Sequence, residues 1–240
     1  MLVTGGKWHD FDYARGELLG LLRGDARLEV HERRDYEGIE EIEAAQLLVT
    51  YTCDLIPAYP IQQRLRSFVE RGGRWLALHG TNSVLRFIDD GRVDTPDDAP
   101  LLMDTLGSRF LAHPPIGRYT VRPTAIEDPL THGIEPFQVE DELYLAQVLA
   151  PARVLLETDF EGDTPRFTSA SWPRATHPVL YERTLGRGAV LYLTLGHCRG
   201  HGDMRPLVEH YPRIERGAWE SPVFRRLLNR CLTWGAAARA

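Results

Sequence analysis

Apolar and polar positions follow two different patterns over the first 90 residues of the chain. Segments 11–24 and 60–73 repeat apolar side chains every three or four positions, which is the period of an amphipathic helix. Strands that alternate with such helices predict a mostly parallel sheet covered by helices, an α/β class of fold. The predicted strands are four short apolar runs, at residues 2–4, 28–31, 47–52 and 75–78.

The pattern changes after residue 90, where turns punctuate short strands. A stretch rich in proline and aspartate, residues 89–100, is predicted as a loop that either closes over a site or only decorates it. A last amphipathic helix is predicted at 221–238, with Ser221 as its N-cap. At 240 residues we expect a single domain over 1–240. Further strands are predicted at 119–123, 137–145, 153–158 and within 186–197.

Composition and charge exclude several classes of protein. The formal net charge is −6 and no dense stripe of lysine and arginine occurs, so we expect no nucleic-acid partner. No apolar run approaches the roughly 20 residues that a membrane span needs, so we expect no membrane partner either. We expect no secretory signal, because "MLVTGG" begins a short strand directly, and the 3 cysteines are scattered. A cytoplasmic protein without disulfide bonds is therefore expected.

Polar side chains follow four of the predicted strands, close to the point where each strand ends. Because the carboxyl ends of parallel strands border the ligand crevice of an open α/β sheet, we expect these side chains to share one crevice. This reasoning places His79, directly after the strand at 75–78, on a turn that faces the crevice rather than the core. The candidate residues are Trp8, His9, Asp10, His79, Asn82, Glu142, Tyr144 and His197.

Several of these positions have simpler explanations. Asp10 could cap the helix that follows it. The acidic run at 139–144 could be a solvated edge strand, and His113, before a proline, could be a loop residue. His197 and His201 have the spacing of a metal-binding pair on a helix, but the glycines around them argue against a helix.

The residue types favour metal or acid–base chemistry over nucleophilic catalysis. Imidazole and carboxylate groups together suit zinc or a similar divalent ion. Ser83 lacks the glycine-framed elbow of a hydrolase serine. Cys198 is adjacent to His197, but neighbours in sequence usually point apart, so a thiolate–imidazolium pair is not expected.

Five ordered segments of the chain resemble the ThuA-like (trehalose-utilisation) family: "VTGG…HD", "ALHG", "HPPIGRYTV", "DPLTHGIEPFQVEDELY" and "HPVLYERTLGRGAVLYLTLGH". That family belongs to the class I glutamine amidotransferase-like superfamily, so the resemblance implies a flavodoxin-like three-layer α/β/α fold. Amidotransferases carry a catalytic cysteine after the corresponding strand, where this chain has Leu78. The resemblance therefore implies that glutamine hydrolysis is lost.

The resemblance also implies a role in carbohydrate metabolism, on a trehalose-like disaccharide or a 3-keto-glycoside. The hypothesis is an enzyme that uses acid–base chemistry assisted by a divalent metal, with a small carbohydrate as partner and a homo-oligomer as an option. The alternative is a catalytically inert module that binds a sugar or another ligand in the same crevice. The assigned roles are base for His79 or Glu142, metal ligand for His9 and His197, and substrate contact for Trp8, Asp10, Asn82 and Tyr144.

Overall fold

The computed structural model describes residues 1–237, and within them it has thirteen strands and five α-helices. The strands are β1 (Leu2–Gly6), β2 (Glu32–Arg33), β3 (Leu47–Cys53), β4 (Arg74–Leu78), β5 (Arg86–Phe87), β6 (Val93–Asp94), β7 (Ser108–Ala112), β8 (Gly117–Pro123), β9 (Phe137–Asp141), β10 (Leu145–Val148), β11 (Arg153–Asp163), β12 (Ser171–Leu185) and β13 (Gly188–Leu193). The helices are α1 (Phe11–Arg23), α2 (Ile39–Ala44), α3 (Tyr59–Glu70), α4 (Pro100–Leu106) and α5 (Pro222–Ala236), with 3₁₀ turns at His79–Asn82 and Gly217–Glu220.

Nine of the strands described within residues 1–237 form one sheet, in the spatial order β2-β1-β3-β4-β13-β12-β11-β8-β9. The first five strands of that order are parallel to one another. Numbered among themselves along the chain, they stand in the order second, first, third, fourth, fifth, which is the order of flavodoxin-like sheets. The predicted α/β class with its parallel sheet is therefore confirmed.

Antiparallel strands extend this sheet beyond β13. The pairs β13–β12, β12–β11, β11–β8 and β8–β9 are all antiparallel. Each pairing reverses the strand direction, so β9, after four reversals, runs in the same direction as β13. The end of β9 at Asp141 consequently lies at the same edge of the sheet as the ends of β1, β4 and β13.

Apolar side chains cover both faces of the sheet. In β4, Leu76 and Leu78 belong to one buried cluster and Trp75 and Ala77 to another, since successive residues of a strand point to opposite faces. Helices α1 and α5 contribute to the first cluster, and α2, α3 and α4 contribute to the second. None of the helices within residues 1–237 is long and apolar enough to cross a membrane.

The helix ends follow the signals in the sequence. The Ser221 hydroxyl accepts a hydrogen bond from the Phe224 backbone N–H at 3.4 Å, so the predicted N-cap of α5 is confirmed. Helix α3 has Pro60 in its first turn and ends at Glu70, just before Gly72 at φ +120°. Only glycine adopts such a backbone angle without strain, so the chain turns there into β4.

The strand predicted at 28–31 is displaced. The edge strand is β2, two residues long, and it pairs with β1 through Leu2 and Val3. Leu28 and Val30 instead pack, partly buried, against the cluster that contains α1 and α5. The apolar character of this run reflects packing into that cluster, and its last residue, His31, accepts a backbone hydrogen bond from the Leu2 N–H of β1 at 2.8 Å.

The stretch 137–145, predicted as one strand, breaks after Asp141. Strand β9 ends there, and β10 begins at Leu145 in a separate two-stranded sheet with β7. The break directs Glu142 into the protein, where it is buried, so the alternative of a solvated edge strand is wrong for this residue. Glu140, which precedes the buried Asp141 and points to the opposite face of β9, is exposed.

The stretch 89–100 is mostly irregular chain, as its composition predicts, but it also contains a short strand. Strand β6 lies within it and pairs with β5, and α4 begins at Pro100. The backbone N–H of Val93 donates to the carbonyl of Arg166, and the N–H of Thr168 donates to the carbonyl of Val93. These bonds attach the segment to the turn between β11 and β12.

Two glycines give a matched test of the packing. A Cβ atom on Gly188 would collide with the carbonyl oxygens of Val69 and Gly73, whereas one on Gly20, in α1, would meet nothing. We expect Gly188→Ala to lower the free energy of unfolding by about 3 kcal/mol, the upper end of ordinary overpacking. Gly20→Ala should raise it by about 0.5–1 kcal/mol, because alanine favours the helix. Urea unfolding of both variants measures this, and equal stabilities would contradict the packing described for β13.

Candidate metal centre

Four side chains meet at the carboxyl edge of the sheet. His9 follows β1 by three residues, His79 directly follows β4, His197 follows β13 by four, and Glu142 directly follows β9. All four are buried, and one nitrogen or oxygen atom of each lies within 4.8 Å of the others. The prediction that these four residues converge is therefore confirmed.

The four groups form a tight polar cluster. The Nε2 atoms of His9 and His79 lie 3.0 Å apart. Glu142 Oε2 lies 3.3 Å from His197 Nδ1 and 3.4 Å from His79 Nε2. It lies 3.8 Å from His9 Nε2. Three imidazoles thus surround one carboxylate oxygen.

Hydrogen bonds on the far side of each ring fix which nitrogen carries the hydrogen. His79 Nδ1 donates to the carbonyl of Thr194 at 2.8 Å, and a carbonyl can only accept, so Nε2 keeps its lone pair. His9 Nδ1 has the same relation to the carbonyl of Lys7, at 3.4 Å. In the neutral rings both Nε2 lone pairs point into the cluster only 3.0 Å apart, and a shared proton or a cation between them removes their repulsion. Metal-ligating histidines held by outer acceptors have this arrangement.

His197 directs Nδ1 toward the cluster, whereas His9 and His79 direct Nε2. Its Nε2 donates to Glu215 Oε2 at 2.9 Å, so Nδ1 is the atom that faces Glu142. This Nδ1 is buried and no hydrogen bond of good geometry reaches it, although Glu142 Oε2 lies 3.3 Å away. Buried polar atoms nearly always have partners, so this nitrogen is an exception that a bound ligand would remove.

The electrostatics of the cluster favour a positive charge at its centre. Burial lowers the pKa of His9 to about 3, so this imidazole is neutral. Burial also opposes charge on His197, but the carboxylates of Glu142 and Glu215 outweigh it and raise the pKa of His197 to about 9. For Glu142, burial is outweighed by His113 and His197, which hold its pKa well below the usual range. An ionised carboxylate therefore lies between a neutral imidazole, that of His9, and one that holds a proton at neutral pH, that of His197, so this position stabilises positive charge.

One cluster residue and one residue next to the cluster have a left-handed backbone conformation. His79 has φ +44° and Trp8 has φ +77°, a region that residues other than glycine rarely adopt and that costs about 1–3 kcal/mol. The His79 carbonyl accepts a hydrogen bond from the Tyr192 hydroxyl at 2.6 Å, which holds this turn. His79 is 0% exposed, so the expectation of a turn outside the core is wrong. The 3₁₀ turn that it begins is itself buried.

The buried carboxylate of Asp141 links the backbone segments that carry Glu142 and His197. Its carboxylate accepts hydrogen bonds from the backbone N–H groups of Glu142 at 2.7 Å, Gly196 at 2.8 Å, His197 at 3.0 Å and Ala218 at 3.1 Å. These bonds tie the end of β9 to the loop after β13 and to the second 3₁₀ turn. Asp141 therefore positions Glu142 and His197 relative to each other.

Three further residues of the cluster are absent from the sequence-based prediction. Arg199 Nη2 donates to Glu142 Oε1 at 3.2 Å, and Arg199 Nη1 donates to Glu215 Oε2 at 3.0 Å. His113 Nε2 lies 3.6 Å from Glu142 Oε1, and its side chain is 24% exposed. The loop interpretation of His113 therefore missed its contact with Glu142, and the one available signal was its place in the segment "HPPIGRYTV".

The predicted substrate contacts have different surroundings. Tyr144 is buried with its ring 4.4 Å from that of His79, and Trp8 lies half-buried with its ring 5.0 Å from that of Phe87. Asn82 is buried, and its Nδ2 donates to the Ser108 hydroxyl at 2.7 Å. The Asn82 Oδ1 atom is buried without a partner.

Asp10 caps α1. Its Oδ1 accepts from the Tyr13 backbone N–H at 3.0 Å, and its Oδ2 pairs with Arg216 at 3.0 Å. Asp10 is not among the four residues whose ligand atoms converge. The simpler explanation of Asp10 as a helix cap is thus confirmed, and its contact with substrate stays a prediction.

The other histidine and cysteine candidates lie apart from the cluster. His201 is exposed and stacks on His210 with ring centroids 4.4 Å apart, so it does not join His197 as a chelating pair. Cys198 is buried, with its sulfur 3.2 Å from the Tyr51 hydroxyl. Burial raises the pKa of the Cys198 thiol to about 12, so it is not a thiolate nucleophile at neutral pH.

Solved structures share this fold at low sequence identity. A ThuA-like protein from Bacteroides uniformis is 16% identical with a TM-score of 0.66, over 98% of this chain and 89% of that one. A ThuA-like protein from Parabacteroides merdae is 16% identical with a TM-score of 0.62, over 98% and 88%. A β-galactosidase from Rahnella sp. R3 is 14% identical with a TM-score of 0.53, over 80% of this chain and 28% of that one. These likenesses establish the fold alone.

Sequence comparison gives the family. No curated protein sequence matches the chain. The sequence profile of the ThuA family, described as trehalose utilisation, matches residues 17–211, a range that includes His79, Glu142 and His197. Because this match extends over most of the chain, the protein belongs to the ThuA family.

Proposed function

We propose that this protein is an enzyme of carbohydrate metabolism that moves a proton next to the carbonyl group of a 3-keto-glycoside, with a divalent metal ion bound in the cluster. The observation that carries the proposal is the convergence of one nitrogen from each of three buried imidazoles beside one buried carboxylate. The trehalose-utilisation description of the family supports a disaccharide-related substrate.

The residues present fit a divalent ion. His9 Nε2, His79 Nε2 and His197 Nδ1 would hold it, and the unpartnered state of the buried His197 Nδ1 supports this assignment. Three protein ligands with a further open position are typical of catalytic zinc sites, and imidazole also suits related divalent ions. Bound there, the ion would supply a Lewis acid that polarises the carbonyl oxygen of the substrate. His79, one of the two candidate bases, is thereby assigned to the ligands.

Glu142 is the residue that we assign to proton transfer. Its Oε2 faces the three imidazoles, while Oε1 faces Arg199 and the partly exposed His113. Its low pKa keeps the carboxylate ionised at neutral pH, the form that can accept a proton, and also makes it a weaker base than an ordinary carboxylate. The proton would pass from the carbon beside the ketone to Glu142 Oε1, and the electron pair of that C–H bond would move toward the carbonyl oxygen. Arg199 fixes the carboxylate in this orientation.

Aromatic side chains near the cluster supply surface for a sugar ring. Trp8 is half-buried and packs against Phe87, which is 40% exposed. Trp8 Nε1 has no hydrogen-bond partner, and neither has the buried Asn82 Oδ1. A sugar offers both hydroxyl groups and an apolar face, so these residues, with Tyr144 beside His79, are the substrate contacts that we propose.

We also propose the three-layer flavodoxin-like arrangement, as one domain, without an amidotransferase nucleophile. The two apolar clusters on opposite faces of the sheet and the order of the parallel strands support the three layers. Leu78 at the end of β4 and the left-handed His79 after it support the loss of the cysteine. The former nucleophile turn then presents an imidazole instead of a thiol.

The experiment that tests this function follows hydrogen exchange by NMR. A 3-keto-disaccharide is incubated in D₂O with the protein before and after removal of divalent ions by a chelator, and with zinc added back. We expect loss of the proton signal next to the ketone, or product formation, only in the metal-loaded protein. Binding of the sugar without exchange or turnover would instead support the inert binding module.

A further inference from the structure

We propose that Glu215 is a positioning residue of the metal centre, which holds His197 in the one tautomer that presents Nδ1 to the ion. This inference rests on the proposed function, because it requires the ion. Glu215 lies after the range matched by the family profile and precedes the second 3₁₀ turn. It contributes no atom to the four-residue cluster itself.

Both carboxylate oxygens of Glu215 are engaged. Oε2 accepts from His197 Nε2 at 2.9 Å and from Arg199 Nη1 at 3.0 Å. Oε1 accepts from the Tyr211 hydroxyl at 2.8 Å. The backbones of Arg199 and Glu215 also exchange two hydrogen bonds, at 2.8 and 3.0 Å. The carboxylate is therefore held in place before any ligand arrives.

The hydrogen-bond acceptor that orients His197 is a side chain, whereas the acceptors that orient His9 and His79 are backbone carbonyls. His79 and His9 are oriented by the carbonyls of Thr194 and Lys7, which no substitution removes. Without Glu215, the hydrogen on His197 Nε2 would lose its acceptor. The ring could then carry its hydrogen on Nδ1, where it would block the lone pair that faces the cluster.

Arg199 links this outer carboxylate to the inner one. It donates to Glu215 through Nη1 and to Glu142 through Nη2. The guanidinium group of Arg199 therefore bonds both to Glu215, which orients His197, and to Glu142, which faces the proposed ion. The loop after β13 and the residues around Glu215 consequently form a single frame around His197.

The test measures zinc affinity by chelator competition and records the visible absorption spectrum of the cobalt-loaded protein. Glu215→Ala should weaken zinc binding about 10–100-fold, the usual effect of losing an outer partner of a metal-ligating histidine, and should change the cobalt spectrum. Glu215→Gln keeps a neutral acceptor, so its loss should be about tenfold or less. Glu209→Gln, an exposed position in the same segment that pairs with Arg205, is the matched control and should match the unchanged protein.

The outcomes separate this inference from the function on which it rests. If Glu215→Ala binds zinc as tightly as the unchanged protein, with the same cobalt spectrum, the positioning role is wrong and the metal site stands. If the unchanged protein binds neither metal, both proposals are wrong. Should Glu215→Ala fail to fold, Glu215→Gln decides: a changed cobalt spectrum supports the role, and an unchanged spectrum and affinity contradict it.

Discussion

Replacing Glu142 with glutamine is expected to lower turnover of a 3-keto-glycoside by roughly 10²–10⁴-fold, the range for loss of a general base. Glutamine has nearly the same shape, so it can still accept from Arg199 Nη2, but it cannot take up a proton. Because three histidines hold the ion, the variant should retain zinc, with affinity reduced no more than about 100-fold. Steady-state kinetics and metal content on one preparation measure both quantities.

The matched control is His79→Gln, which removes a proposed ligand and leaves Glu142 in place. It should lose both the ion and turnover. If Glu142→Gln loses the ion as completely as His79→Gln, Glu142 is a ligand and not the base. If Glu142→Gln turns over substrate at the normal rate, the proton-transfer role is contradicted outright.

Replacing Asp141 with alanine is expected to lower the free energy of unfolding by at least about 3 kcal/mol, since hydrogen bonds to charged groups contribute about 1.5–3 kcal/mol each. Four backbone N–H groups would lose their shared acceptor, all of them buried. For a chain of this size, that loss corresponds to a fall in Tm of roughly 6–12 °C. The variant should also bind metal poorly, because Glu142 and His197 are both held by Asp141.

Glu140→Ala serves as the control for Asp141→Ala. Glu140 lies on the same strand, is exposed, and pairs with Arg118 at 3.3 Å. Exposed ion pairs contribute little, so its Tm should change by less than about 2 °C. Equal thermal stabilities of the two variants would contradict the role assigned to the Asp141 carboxylate.

The positions of His9, His79, Glu142 and His197 could be predicted because each lies near the end of an apolar run. Parallel strands end at one edge, so residues far apart in sequence are expected to meet there. Glu142 also lies at this edge, but the strand before it, β9, is not one of the parallel strands. Strand β9 reaches the same edge only because four antiparallel pairings return it to the direction of β13.

The supporting residues could not be predicted from local pattern. Asp141 is one of three consecutive acidic residues, and its burial depends on a strand break that a run of strand-like residues conceals. Arg199 and Glu215 lie in glycine- and charge-rich sequence typical of solvated loops, and their mutual pairing exists only once the loop after β13 folds back. His113 approaches Glu142 from the start of the loop after β7. Each contact joins segments that no sequence periodicity links.

The burial of His79 also could not be predicted from the sequence. A glycine and polar residues after a strand are typical of an exposed turn, and the sequence carries no sign that the turn is covered. In the structure Tyr144 packs over the imidazole and the Tyr192 hydroxyl holds its backbone. A substitution at His79 therefore affects packing as well as chemistry, which is why His79→Gln is preferred to alanine as the ligand-removing variant.

The central claim, that His9, His79 and His197 hold a divalent ion beside Glu142, is tested most directly by anomalous diffraction from crystals grown with zinc and measured at its absorption edge. We expect one strong anomalous peak bounded by the three histidines, with nitrogen distances of about 2.0–2.1 Å. A cluster without a peak, in crystals that show zinc only at exposed groups such as His201 and His210, would contradict the claim.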